Sequence, residues 1–199
     1  MRWWGSRGFE RQPLRHPFRA LESRSAARRT GNPQITRGRG GVFVSISRIF
    51  HININCTNLE RSLAFYQMLG FKAWSPAEAI AEAMGEVSSK NLSESMKLPG
   101  AKVKGLLLQL GNDAGACFLD LLQWVEPASQ GRAYERLNHP GIARVCLHSD
   151  DIWKDYEELK SKGIVFYSEP KFLGDSGVGP QIVFFEDPDG TVLELAQLS

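Results

Sequence analysis

Two stretches of the chain repeat one another in their order of apolar and polar positions. HININCTNLERSLAFYQMLGF, residues 51 to 71, superposes without gaps on RVCLHSDDIWKDYEELKSKGI, residues 144 to 164, at a constant offset of 93. The match pairs Asn58 with Asp151, Leu59 with Ile152, Leu63 with Tyr156, Gly70 with Gly163 and Phe71 with Ile164. In the first copy Leu59, Leu63, Tyr66 and Leu69 fall on one helical face, Asn58 is placed to cap it, and Gly70 suits the left-handed residue that ends a helix. In the second copy Asp150 or Asp151 caps, Ile152, Tyr156 and Leu159 form the stripe, and Gly163 ends it. Each copy therefore predicts strand, capped amphipathic helix, glycine stop and strand.

A second match joins the ends of the repeats. CFLDLLQW (117 to 124) superposes on TVLELAQL (191 to 198) at an offset of 74, which sets Asp120 against Glu194. The difference between the offsets, 93 and 74, leaves about nineteen extra residues in the first repeat. They fall within PAEAIAEAMGEVSSKNLSESMKLPGAKVKG, which reads as one or two short helices and a loop. KGLLLQLG and QIVFFED supply one more strand each. EDPDG closes the second hairpin, with proline at the second turn position and glycine where a left-handed residue is wanted. The fold class is thus α+β, two tandem βαβββ modules. Their expected extents are 42–128, with the helical insert, and 129–199.

The 41 residues before them are a different material: ten Arg, no Lys and two Glu, against fourteen basic and twenty acidic residues in the remainder. They show no sustained period, and Pro13, Pro17, Pro33 and the closing GRGG break any long element, so residues 1–41 are expected to be disordered. Three readings stand for this leader: a plain extension, including one that starts upstream of the true initiation site; an organelle transit peptide; and a basic arm with Trp3 and Trp4 available for stacking on nucleic acid. No apolar run reaches the roughly 18 to 20 residues of a membrane span. Cys56, Cys117 and Cys146 are odd in number and lack CxxC spacing, which points to reduced, structural thiols and a cytoplasmic setting.

The spaced pair His51 and Asp120, followed by GIARV, the EDPDG turn and TVLELAQ, is similar to the vicinal oxygen chelate superfamily, which includes glyoxalases, bleomycin-resistance proteins and extradiol dioxygenases. The resemblance covers residues 47–199. It implies a cupped mixed sheet around a central pocket, homodimers, and a divalent metal held by one residue from the first and last strand of each module. Carried over, those positions are His51, Asp120, Arg144 and Glu194.

Arg144 breaks the pattern. A guanidinium offers donors only and stays protonated. About 4 Å from a divalent ion it would cost on the order of 8 kcal/mol at an effective dielectric near 20. The expectation is a site with no metal or only a weak divalent one; any metal would fall to His51, Asp120 and Glu194. Arg144 is expected to lie between Asp120 and Glu194 as the positive centre of the pocket, either for ligands or as a structural ion triad. His148, four residues along the strand, is roughly 13 Å away and too far to replace it. His139 reads as a turn residue, Trp124 and Trp153 as packing or rim aromatics, and GDSGVGP (174 to 180) as a plain connection or a cover.

The resemblance implies a glyoxalase-type lyase or isomerase. In it His51 or Glu194 moves a proton next to a carbonyl, while Asp120 and Arg144 bind the substrate and Arg144 stabilises the oxyanion. The alternative is a non-catalytic binder of the bleomycin-resistance kind. A third, ring cleavage by iron, needs two histidines and a carboxylate in one shell, against which Arg144 counts. The expected partners are a small molecule and a second copy of the chain, with no membrane and no nucleic acid.

Overall fold

The structure is a computed structural model that describes residues 45–74, 85–113, 115–134 and 136–198. The expectations for residues 1–41 lie outside it. Ser47–Ser199 forms one compact unit. Its order is β1 (His51–Asn55), α1 (Leu59–Met68), β2 (Phe71–Ala73), α2 (Lys90–Ser95), β3 (Lys102–Leu110), β4 (Phe118–Glu126), β5 (Val145–His148), α3 (Ile152–Ser161), β6 (Lys171–Phe172), β7 (Gln181–Glu186) and β8 (Val192–Gln197). These are two βαβββ modules, each with a four-stranded mixed sheet, ordered β1-β4-β3-β2 and β5-β8-β7-β6.

The repeat read from the sequence is a repeat of register. β1 runs parallel to β4 with His51 opposite Phe118, and β5 runs parallel to β8 with Val145 opposite Leu193. Those pairings agree with the two offsets. The helices α1 and α3 begin and end at equivalent positions. Asn58 Oδ1 accepts from the Arg61 backbone N–H at 2.9 Å, and Asp151 Oδ1 accepts from that of Lys154 at 3.1 Å, so Asp151 rather than Asp150 is the second cap. Gly70 and Gly163 both end their helices at φ +92°, a conformation costly for a side-chain-bearing residue.

One face of each sheet is dry. Ile54, Leu106, Leu108, Leu119 and Leu121 from the first sheet share a core with Val183, Phe185, Leu193 and Leu195 from the second, and both helices pack against it. The α1 stripe includes Phe65, which the predicted i, i+4, i+7 pattern passes over; Leu63 is only partly buried. The opposite faces carry the polar strand positions. In β1 this is the alternation HININ, with Ile54 buried and His51, Asn53 and Asn55 exposed.

Two expectations change, the strand after Gly163 and the burial of one cysteine. The strand after Gly163 shrinks to one bridge, Phe166 with Phe185, followed by the two-residue β6. Pro170 ahead of β6 cannot donate to a ladder, and Val165 is exposed. The insert contributes α2, capped by Ser89, as one of the short helices expected there, while residues 76–84 of it lie outside the described part. Cys56 is buried and Cys117 partly so, but Cys146 is exposed, because it alternates onto the open face of β5. No described helix is long and apolar enough to cross a membrane.

Candidate functional site

Parallel pairing dictates the geometry of the four singled-out positions. His51 opens β1 and Asp120 lies two residues beyond its register partner on β4, so the two side chains meet on a diagonal of the open face, with Nε2 and Oδ2 3.9 Å apart. Arg144 immediately precedes β5 and Glu194 occupies the equivalent diagonal on β8. There the Arg144 Nε donates to Glu194 Oε2 at 2.5 Å. The site is two homologous acid-containing pairs, one per sheet.

This corrects the expected bridging of Asp120 and Glu194 by Arg144. The guanidinium is bonded to Glu194, and its Cζ lies over the Phe184 ring, 5.7 Å from the centroid. Asp120 finds its partners inside its own sheet: the Asn53 amide donates to the Asp120 carbonyl at 3.1 Å and to Oδ2 at 3.4 Å. Burial raises the Asp120 pKa, opposed by the nearby His51 and by the Asn53 donor. Among the described residues no group of three or more His, Cys, Asp or Glu is gathered as a metal site requires, so His51, Asp120 and Glu194 do not form the fallback triad. The fourth of the carried-over positions is a permanent cation that cannot ligate a metal, and its Nε already occupies a Glu194 oxygen.

The remaining candidates are peripheral. His148 sits 3.6 Å from Asp150 at the far end of β5. His139 stacks on Tyr134, the rings 17° from parallel. Trp153 donates to Gln181 at 3.0 Å and packs its edge on Tyr156. The 174–180 stretch is exposed hairpin loop between β6 and β7 up to Val178 and Gly179.

Beside the pairs lies a cavity of about 970 Å³ between the two modules. Its walls are residues 52–57 of β1 and its exit, Trp124, the connection 127–134, residues 142–145 and the β7–β8 turn. Arg144 lines it directly; His51, Asp120 and Glu194 do not, Asp120 standing behind the lining residue Asn53, Glu194 behind Arg144, and His51 behind Asp120. Trp124 is more than a rim aromatic. Its indole N–H donates to Asn55 Oδ1 at 2.9 Å, which fixes the ring against the cavity. Asn53 and Asn55 escaped the sequence reading, although the polar-apolar alternation of HININ places both on the face of His51.

The β7–β8 turn closes one end of the cavity and ties the modules together. Asp189 accepts from the Thr57 backbone N–H and hydroxyl and pairs with Arg61 at 2.7 Å, while the Tyr66 hydroxyl donates to buried Asp187 at 3.0 Å. The turn expected from EDPDG is thus also an inter-module clasp.

Residues 48–195 match the family model described as the Glyoxalase/Bleomycin resistance protein/Dioxygenase superfamily. The chain belongs to that superfamily. Solved structures share the fold. A glyoxalase family protein from Bacillus cereus superposes with a TM-score of 0.66 at 15% identity, covering 80% of this chain and 99% of that one. A glyoxalase family protein from Enterococcus faecalis gives 0.53 at 20% identity, over 77% of this chain and 99% of that one. Glyoxalase I from Zea mays gives 0.52 at 20% identity, over 76% of this chain but 45% of its own longer chain. At these identities the likeness is one of fold. No curated protein sequence matches the chain.

Proposed function

We propose that the chain is a glyoxalase-type enzyme that moves a proton at a carbon next to a carbonyl, in a small molecule held on the open face of the sheets where Arg144 joins that face to the inter-module cavity. The observation that supports this reading is the pair of equivalent diagonals: an imidazole held beside a carboxylate at 3.9 Å, and a guanidinium tethered to a carboxylate at 2.5 Å. His51 accepts the proton from carbon, with Asp120 holding the imidazolium. The electron pair of the C–H bond moves to the carbonyl oxygen, and the Nη–H groups of Arg144 stabilise that oxyanion. Glu194 acts through Arg144 as a positioning residue, and Asn53 does the same for Asp120. Return of the proton to carbon completes an isomerisation or exchange. The cation that the site supplies is organic, and divalent metal binds weakly or not at all.

The test is wash-out of deuterium from C3 of small 2-oxo acids, followed by proton NMR with the purified chain. Wild type is expected to exchange the label and His51→Gln to lose at least a hundredfold in rate; absence of exchange across 3-alkyl and 3-aryl acids would overturn the reading. Nickel or zinc titration should leave the melting temperature unchanged. A non-catalytic binder is the second reading, favoured because neither His51 nor Glu194 lines the cavity. It predicts ligand binding that His51→Gln merely tunes, with no exchange.

A further inference from the structure

The charged groups lining the cavity are unequal in what they have left to offer. Asp189 has both oxygens occupied, by Thr57, Arg61 and Ser62, so its charge is already answered. Arg132 and Arg144 are the lining cations. Arg144 has one edge tied to Glu194, its side chain 44% exposed and that of Glu194 only 8% exposed, so the acid sits behind the guanidinium. With Nε engaged, both Nη groups have no protein partner among the described residues. A planar end with two parallel N–H donors fits two coplanar oxygens. The amide of Asn55, whose oxygen is taken by Trp124, keeps its Nδ2 as a further donor.

One part of the wall is apolar, beside polar residues such as Thr57, Ser129, Gln130 and Thr191. The Trp124 ring is locked by Asn55, and Ile52, Leu98 and Ile142 share the lining. A volume of about 970 Å³ is that of a site for a drug-sized molecule and far exceeds what a bare inorganic or acetate-sized anion fills. From these features we infer that the cavity takes an aromatic carboxylic acid, its carboxylate on the Nη edge of Arg144 and its ring against Trp124. This rests on the reading of the cavity as the ligand site and names the ligand class for it.

The experiment is calorimetric titration of the full chain with 2-naphthoate, its neutral isostere naphthalene-2-carboxamide, and acetate. Wild type is expected to bind 2-naphthoate at least tenfold more tightly than the amide and to show no measurable acetate binding. Arg144→Gln is expected to remove the preference for the acid, and Trp124→Ala to weaken acid and amide alike. Arg144→Gln leaves Glu194 without its cation, so the double variant Arg144→Gln/Glu194→Gln, which removes both charges, repeats the measurement on a neutral pair. His51→Gln should bind 2-naphthoate as wild type does, so that loss of exchange and loss of binding report separately. Equal affinity for acid and amide, or an acid preference that survives in both Arg144 variants, overturns the inference. So does failure of 2-naphthoate to bind.

Discussion

Arg144 and Glu194 form, across β5 and β8, the same diagonal pair that His51 and Asp120 form across β1 and β4. The second module has exchanged an imidazole for a guanidinium and kept the acid. Glu194 is nearly inaccessible, so removing this partner leaves a buried carboxylate without its cation. Arg144→Gln is therefore expected to cost about 1 to 2 kcal/mol of unfolding free energy, and Glu194→Gln on the same background to recover at least half of it. Urea denaturation of the two variants checks this. Additive losses would mean that the pair is not coupled in stability.

Asn53 governs the other pair. Its amide donates to Asp120, and this bond works against the upward push of burial on the carboxyl. Removing a donor to the ionised form disfavours that form, so Asn53→Ala should move the Asp120 pKa further up. The carbon chemical shift of the Asp120 carboxyl, followed from pH 3 to 8, measures it directly. A downward shift or none would separate Asn53 from the electrostatics of the site.

The clasp between the modules contains two carboxylates of opposite tendency. Burial raises the pKa of Asp187, outweighing bonds from Thr191, Asp189 and Tyr66. Burial also acts upward on Asp189, but donors from Thr57 and Arg61 prevail and the net shift is down. The linkage signs follow. Asp189 contributes stability above the ordinary aspartate range that is lost as pH falls through that range towards its lowered pKa. Asp187 has its proton held more tightly in the folded state, so its contribution declines as pH rises from the ordinary range through its raised pKa. Asp189→Asn is expected to flatten the acid limb of melting temperature against pH, and Asp187→Asn to flatten the loss that sets in as pH rises above the ordinary aspartate range.

Tyr66 supplies the inter-module bond to Asp187 from a fully buried position in α1. Burial and the neighbouring Asp187 push its own pKa far above the usual phenol range, so it remains a donor at every accessible pH. Tyr66→Phe keeps the ring and deletes the donor, at an expected cost of about 1 to 3 kcal/mol. Thermal unfolding followed by near-ultraviolet circular dichroism provides the measurement.

The parts legible in the sequence were those fixed by local periodicity. Offsets of 93 and 74 carry over into helix ends, caps and strand register because duplicated modules repeat the same short-range rules. They also carry His51, Asp120, Arg144 and Glu194 to equivalent diagonals. What the offsets do not encode is the placement of one sheet against the other. The triad expected around Arg144 therefore resolves into two pairs. Likewise, Asp189 reads as a turn residue in EDPDG, and only the docking of that turn on the N-terminal end of α1 gives it Thr57 and Arg61 as partners. Asn53 and Asn55 were within reach, because strict alternation in HININ puts them beside His51.

Gly105 in β3 tests how tightly the open face is built beneath the first pair. It lies opposite Leu122, and a Cβ there would come within 2.9 Å of Leu122 Cδ1 and 3.0 Å of the Leu121 carbonyl oxygen. The leucine methyl can turn aside, but the carbonyl belongs to the β3–β4 ladder and cannot move without breaking the pairing. The same Cβ would sit 3.9 Å from Asp120 Oδ1, on the face that carries the carboxyl. Gly105→Ala is thus expected to destabilise the fold by about 1 to 3 kcal/mol and to shift the Asp120 titration upward by displacing water from it. Urea denaturation and the Asp120 carbon shift read the two effects on one variant. A stable variant with an unmoved titration would mean that the strands spread freely at this point and that the carboxyl is not confined by the sheet below it.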